Sequence, residues 1–146
     1  MNELPDDIYE NIQRLCAEGD SLADDQNYEE ALSKYKEAWE LVPDPKNEWN
    51  ASTWILAAIG DTCFLSGYYQ SGTEALNYAL ICPEGVNPFI HLRLGQCELE
   101  KGNEIEAAEH LTRAYMLEGK DIFLQEDQKY FEFLKTKIEP PANGEW

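Results

Sequence analysis

The groups in this sequence that could do chemistry are 29 carboxylates, two histidines (His91 and His110) and four cysteines (Cys16, Cys63, Cys82 and Cys97). Paired carboxylates catalyse when a shared pocket drives their pKa values apart, which solvated helix acids do not offer. His110 stands mid-helix on a polar side, and neither histidine has a cysteine or acid at the spacing needed for nucleophilic work. The cysteines lie far apart with no C-x-x-C spacing, so they read as small buried apolar residues. Asp20, Asp24 and Asp25 could draw a divalent ion weakly, but the stretch lacks the ligand spacing and central glycine of a calcium loop. Glycine-rich phosphate loops are absent. The expectation is no enzyme, no catalytic residue, no metal and no cofactor.

What remains is charge. Against the 29 acids stand 11 basic residues, for a net charge of −18. That balance repels nucleic acid and anionic lipid and attracts basic surfaces, although it would equally keep a helical surface soluble. No apolar run approaches the ~20 residues of a membrane span. The first residues, Met1-Asn2-Glu3-Leu4-Pro5-Asp6-Asp7, have neither the basic segment nor the apolar core of a secretory signal, so a cytoplasmic location is expected. On that reading the Asn50-Ala51-Ser52 sequon is not a glycosylation site but helps to start a helix.

The elements that position these groups follow from a repeat. Gly19, Ala31, Tyr35 and Ala38 recur as Gly60, Gly72, Leu76 and Ala79, and again as Gly95, Ala107, Leu111 and Ala114. Small residues in two successive helices let a hairpin close, and the large residue fills the gap between them. Gln26-Asn27-Tyr28, Gly67-Tyr68-Tyr69 and Gly102-Asn103-Glu104 supply the turns. Farther on, Tyr130, Phe131, Leu134 and Ile138 lie at helical spacing, with Glu126 and Asp127 at the start and Lys135 and Lys137 at the end, as a helix dipole favours. Pro140-Pro141 ends that helix and leaves Ala142 to Trp146 as a loose tail.

These residues resemble the tetratricopeptide repeat (TPR), over about residues 12 to 121. The stretch from Asn27-Tyr28-Glu29-Glu30-Ala31-Leu32 through Ala38-Trp39-Glu40-Leu41-Val42-Pro43 is close to the second helix of that unit. The resemblance implies an all-α fold, a right-handed α-solenoid of three helix-turn-helix repeats at about 12–45, 53–86 and 88–121. A capping helix at about 123–138 and a tail at 139–146 would complete a single TPR domain over 1–146. The sequence departs from the pattern at Glu98, at Gly72 and in the extra residues Asp44 to Asn50, which form either a long loop or an extended start to the third helix.

In such a stack the first helix of each repeat lines a concave groove. Helical spacing assigns to it Gln13, Asp20 and Asp24, then Trp54, Asp61 and Phe64, then Phe89, Gln96 and Glu100. Trp54 and Phe89 are either groove anchors or covered by their own segments. Trp49, in the extra stretch, is either a loop anchor or a contact residue, and Trp39 is expected to be partly buried between repeats. Some relatives hold a peptide carboxylate at the positions of Cys16, Asp20, Ala57 and Asp61. Here a carboxylate would meet repulsion of about 1 kcal/mol or more per acid.

A protein partner is therefore expected, with no nucleic acid and no membrane. The stretch Asn87-Pro88-Phe89-Ile90-His91-Leu92-Arg93-Leu94-Gly95-Gln96-Cys97, with Ala114-Tyr115-Met116 and Asp127-Gln128-Lys129-Tyr130-Phe131, resembles small bacterial repeat proteins of toxin-immunity loci. That implies an immunity protein, or antitoxin, covering a basic folded toxin domain. Two other roles suit a three-repeat acidic protein: a chaperone of type III secretion translocators and a general scaffold.

Overall fold

The computed structural model describes residues 3–146; Met1 and Asn2, part of the acidic N-terminus read above, lie outside the described residues. Seven α-helices follow one another with no strand among those residues: α1 Asp6–Asp24, α2 Tyr28–Leu41, α3 Asn50–Ser66, α4 Tyr69–Ala79, α5 Pro88–Glu100, α6 Glu104–Glu118 and α7 Gln128–Lys135. The chain falls into two compact units. One runs to Gly85 and holds α1 to α4; the other, Val86–Trp146, holds α5 to α7.

Each repeat closes as a hairpin: α1 on α2, α3 on α4 and α5 on α6. The expected packing explains why. A methyl group placed on Gly19, Gly60 or Gly95 would fall under 3.0 Å from Tyr35, Leu76 or Leu111 respectively, the large residue sixteen positions on in each case. Ala31, Ala38, Ala79, Ala107 and Ala114 are completely buried around these contacts.

The three hairpin turns share one geometry. Gln26, Gly67 and Gly102 take left-handed conformations, with φ of 64°, 86° and 87°. The residue after each donates its N–H five residues back at 2.8 Å, Asn27 to Leu22, Tyr68 to Cys63 and Asn103 to Glu98. This is the Schellman closure, in which glycine at the left-handed position carries no side-chain penalty. Gln26 adopts it without that advantage.

The extra residues resolve as a structured loop. Lys46–Glu48 form a 3-10 turn, and α3 begins at Asn50. Lys46 Nζ donates to the carbonyls of Trp39 and Val42 at 2.7 Å, satisfying exposed acceptors at the end of α2. The Asn50 side chain does not cap α3. Ser52 instead ties the helix start to the loop by donating to the Lys46 carbonyl.

The last helix is shorter than expected. Gly119, at φ 74°, ends α6, and Gly119–Phe123 is a 3-10 turn. Asp127 then caps α7 by accepting from the Lys129 N–H at 2.9 Å, which sets the start at Gln128. The tail is not loose at its end: Trp146 packs edge-on against Tyr115 and Phe131, with both ring centroids 6.0 Å away.

Candidate functional site

In the N-terminal unit, α1 and α3 flank an open slot of about 410 Å³ lined by Tyr9, Gln13, Cys16, Ala17, Asp20, Trp54 and Ala58. Three of the residues assigned from spacing meet here: Gln13, Asp20 and Trp54. Tyr9 was missed, although it lies four residues before Gln13 on the same helix face. It meets Trp54 edge to face at 6.5 Å, and both rings are exposed, at 41% and 37%. Gln13 Nε2 donates to the Tyr9 hydroxyl at 3.0 Å.

Asp20 is held from beneath. Tyr35, which packs over Gly19, reaches through the hairpin and donates its hydroxyl to Asp20 Oδ1 at 2.6 Å. Burial, and then the Asp20 carboxylate, pushes the Tyr35 hydroxyl well above the ordinary phenol range, so it remains a donor. The Cys16 thiol on the slot floor is pushed up to about 12 by burial and by Asp20, and it acts as a small apolar surface. All four cysteines are buried, and none is joined in a disulfide among the described residues. A second cavity, lined by Glu3, Leu4, Asp6, Tyr9, Asn50, Ala51 and Trp54, lies on the other side of the same aromatic pair.

The remaining N-terminal assignments divide. Asp24 is exposed at the end of α1, and Asp61 is half-buried on α3. Phe64 packs at 6.2 Å against Tyr69 of α4 and does not line the slot. Trp49 is a loop anchor: it is half-buried against the core, with its indole N–H donating to the Pro43 carbonyl at 2.8 Å. Trp39, half-buried, meets Tyr78 edge to face at 5.4 Å.

The C-terminal unit overturns its part of the assignment. Gln96 is fully buried, so it is no groove contact; its amide donates to Glu126 Oε1 at 2.8 Å. Arg93 joins the same carboxylate at 2.6 Å and bonds Gln96 at 2.7 Å. Phe89 is half-buried beneath the Arg93 guanidinium, 4.9 Å from its ring centre. Glu100 accepts from the Tyr130 hydroxyl at 2.6 Å and pairs with Lys129 at 2.8 Å. Burial alone would raise its carboxyl pKa, but these two partners together hold it below the usual range. Chain segments after α6 thus fill the face of α5 that spacing assigned to a ligand. The signal was the charge of Arg93 within an apolar stretch, which needed a buried acid from elsewhere.

His110 departs from its expected polar position. It stacks on buried His91 with ring centres 5.2 Å apart, and the two Nδ1 atoms stand at 3.0 Å. One Nδ1 must donate and the other accept, so at least one of the two rings must be neutral. Burial chiefly, with the charge of His110 next, holds His91 below the ordinary imidazole range; burial likewise lowers His110 against the pull of Glu109. Among the described residues no group of three or more His, Cys, Asp or Glu is placed to hold a metal.

Helical hairpins of this kind with a short end helix define an all-α, TPR-like repeat fold. The sequence matches no known family model and no curated protein. In architecture it is similar to the type III secretion chaperone SycD of Yersinia enterocolitica, solved in complex with a peptide of the translocator YopD. The two are 17% identical, the match covers 87% of this chain and 92% of that one, and the TM-score is 0.69. At that identity the likeness is one of fold. No described helix is long and apolar enough to cross a membrane.

Proposed function

We propose that this chain is a protein-binding repeat module, not an enzyme, and that it acts as an immunity protein whose acidic face covers a basic folded toxin domain. The observation that carries the reading is the open slot between α1 and α3, where Trp54 and Tyr9 stand exposed beside an anchored carboxylate. Exposed aromatics supply the strong contacts of interfaces, and a charge of −18 steers a basic partner toward them. The corresponding face of α5 is filled by Glu126 and Tyr130, which favours a local contact with a folded surface over a long channel for an extended peptide.

Capture of the partner from the native cell, followed by cross-linking with mass spectrometry, tests the reading. It is supported if α1 and α3 cross-link to a basic domain whose toxicity the chain suppresses. Cross-links confined to α6 and α7, with no loss of toxicity, would sink it. The fold likeness to SycD favours a second reading, a chaperone of a secreted translocator. Binding of an unfolded, extended segment in place of a folded domain would select it.

A further inference from the structure

Resting on the reading of the α1–α3 slot as the partner's site, we infer that the slot takes one long basic side chain, a lysine or arginine, of the partner protein. Its floor is made of small side chains, Cys16, Ala17 and Ala58; Trp54 forms a wall, and Asp20 stands at the far end. A methylene stem laid on that floor would lose water contact while its charged head stayed at the carboxylate, the usual compromise of long cationic side chains.

Three features of the slot select this occupant. First, Asp20 is fixed but not neutralised. The buried Tyr35 hydroxyl occupies Oδ1, and no lysine or arginine among the described residues pairs with Asp20. Second, Asp20 lies in the last turns of α1, where backbone carbonyls make the negative end of the helix dipole, and neither α1 nor α3 has a basic residue in its last turn. Third, an acidic side chain would be repelled and a purely apolar one would bury the carboxylate without a partner. A basic side chain alone satisfies floor and carboxylate together.

The test titrates the full-length, isotope-labelled chain with blocked arginine methylamide, blocked lysine methylamide and the neutral citrulline counterpart, read by NMR. The expected result is a saturable shift of the Trp54 indole N–H and the Ala17 and Ala58 amides with both cations and not with citrulline. Asp20→Asn should weaken it about fivefold, the upper range for one exposed ion pair. Ala58→Met, which fills the slot without altering charge, should remove it, and thermal melts of both variants separate lost binding from lost folding. Equal shifts with citrulline, shifts spread over the whole acidic surface, or an unchanged titration in folded Asp20→Asn would overturn the inference. A captured partner that binds folded Asp20→Asn and Ala58→Met as tightly as the parent, while Trp54→Ala releases it, also defeats the inference but leaves the groove reading intact. Selective cation shifts combined with a partner indifferent to all three changes would overturn the inference and the groove reading together, leaving a cation-binding slot that the partner does not use.

Discussion

The first helix of the first repeat and the first helix of the third obey the same spacing rule, yet they present opposite surfaces. On α1, Gln13 and Asp20 border an open slot, and among the described residues the Asp20 carboxylate is bonded from below, by Tyr35. On α5, Gln96 and Glu100, placed by the same reasoning, are engaged by Glu126, Lys129 and Tyr130. Repeat spacing specifies how a hairpin closes on itself. Whether the other face stays open depends on which later segment of the chain comes to rest there.

The largest expected effect breaks the closed side. Glu126→Ala removes the carboxylate that accepts from both the buried Arg93 guanidinium and the buried Gln96 amide and should cost about 3 to 5 kcal/mol. Removing the open-side counterpart by Asp20→Asn should cost much less, because Asp20 is exposed and the slot is open. Chemical denaturation of both variants measures the contrast, and equal losses would remove the distinction between the faces.

Next come the hairpin seams, which should behave alike on both sides. Gly60→Ala and Gly95→Ala each drive a methyl into a leucine and should destabilise by about 1 to 3 kcal/mol. Thermal melts check this; a neutral result at either glycine would count against the shared seam.

A smaller, pH-dependent effect should belong to the C-terminal unit. His91 and His110 have folded pKa values below the ordinary value of about 6.5. The unfolded chain therefore binds more protons, so the pair's contribution is fully present above about pH 6.5 and is lost as pH falls through the folded values. Glu98, Glu106 and Glu109 soften that loss and Arg113 deepens it. Stability measured at descending pH should fall in this window, and His110→Phe should flatten the fall. A parallel fall in the variant would clear the pair of responsibility.

The smallest effect is a gain. Gln26→Gly removes the side chain from a left-handed position that the sister turns fill with glycine, and it should stabilise by up to about 1 kcal/mol. An unchanged or lowered melting temperature would show that the Gln26 side chain compensates for its strain.

Much of the fold was legible because hairpin closure is local: Gly19 with Tyr35 and Gly95 with Leu111 announce themselves by spacing alone. Gln13, Asp20 and Trp54 could be placed together for the same reason, since one helical period fixes each face. Gln96 and Arg93, which covers Phe89, could not, because their surroundings depend on Glu126, and no periodicity relates an acid in a turn to a helix thirty residues earlier. Trp49 stayed open between two readings for a similar reason: its indole partner, the Pro43 carbonyl, is a backbone group that any residue type would present. The His91–His110 stack was hidden because the two side chains come from different helices.

Tyr35 joins two demands that are usually separate. Its ring is the packing element over Gly19, where the sister repeats use leucine, while its hydroxyl holds Asp20 on the surface. Evolutionary drift toward a different partner is therefore unequally easy along this one helix. Asp24 stands exposed at the surface, but a change at Asp20 takes the acceptor from the Tyr35 hydroxyl and leaves it Thr62, and a compensating Tyr35→Phe must preserve a tight hairpin. On the proposed reading, the position most useful for recognising charge is thus the one the interior makes slowest to retune.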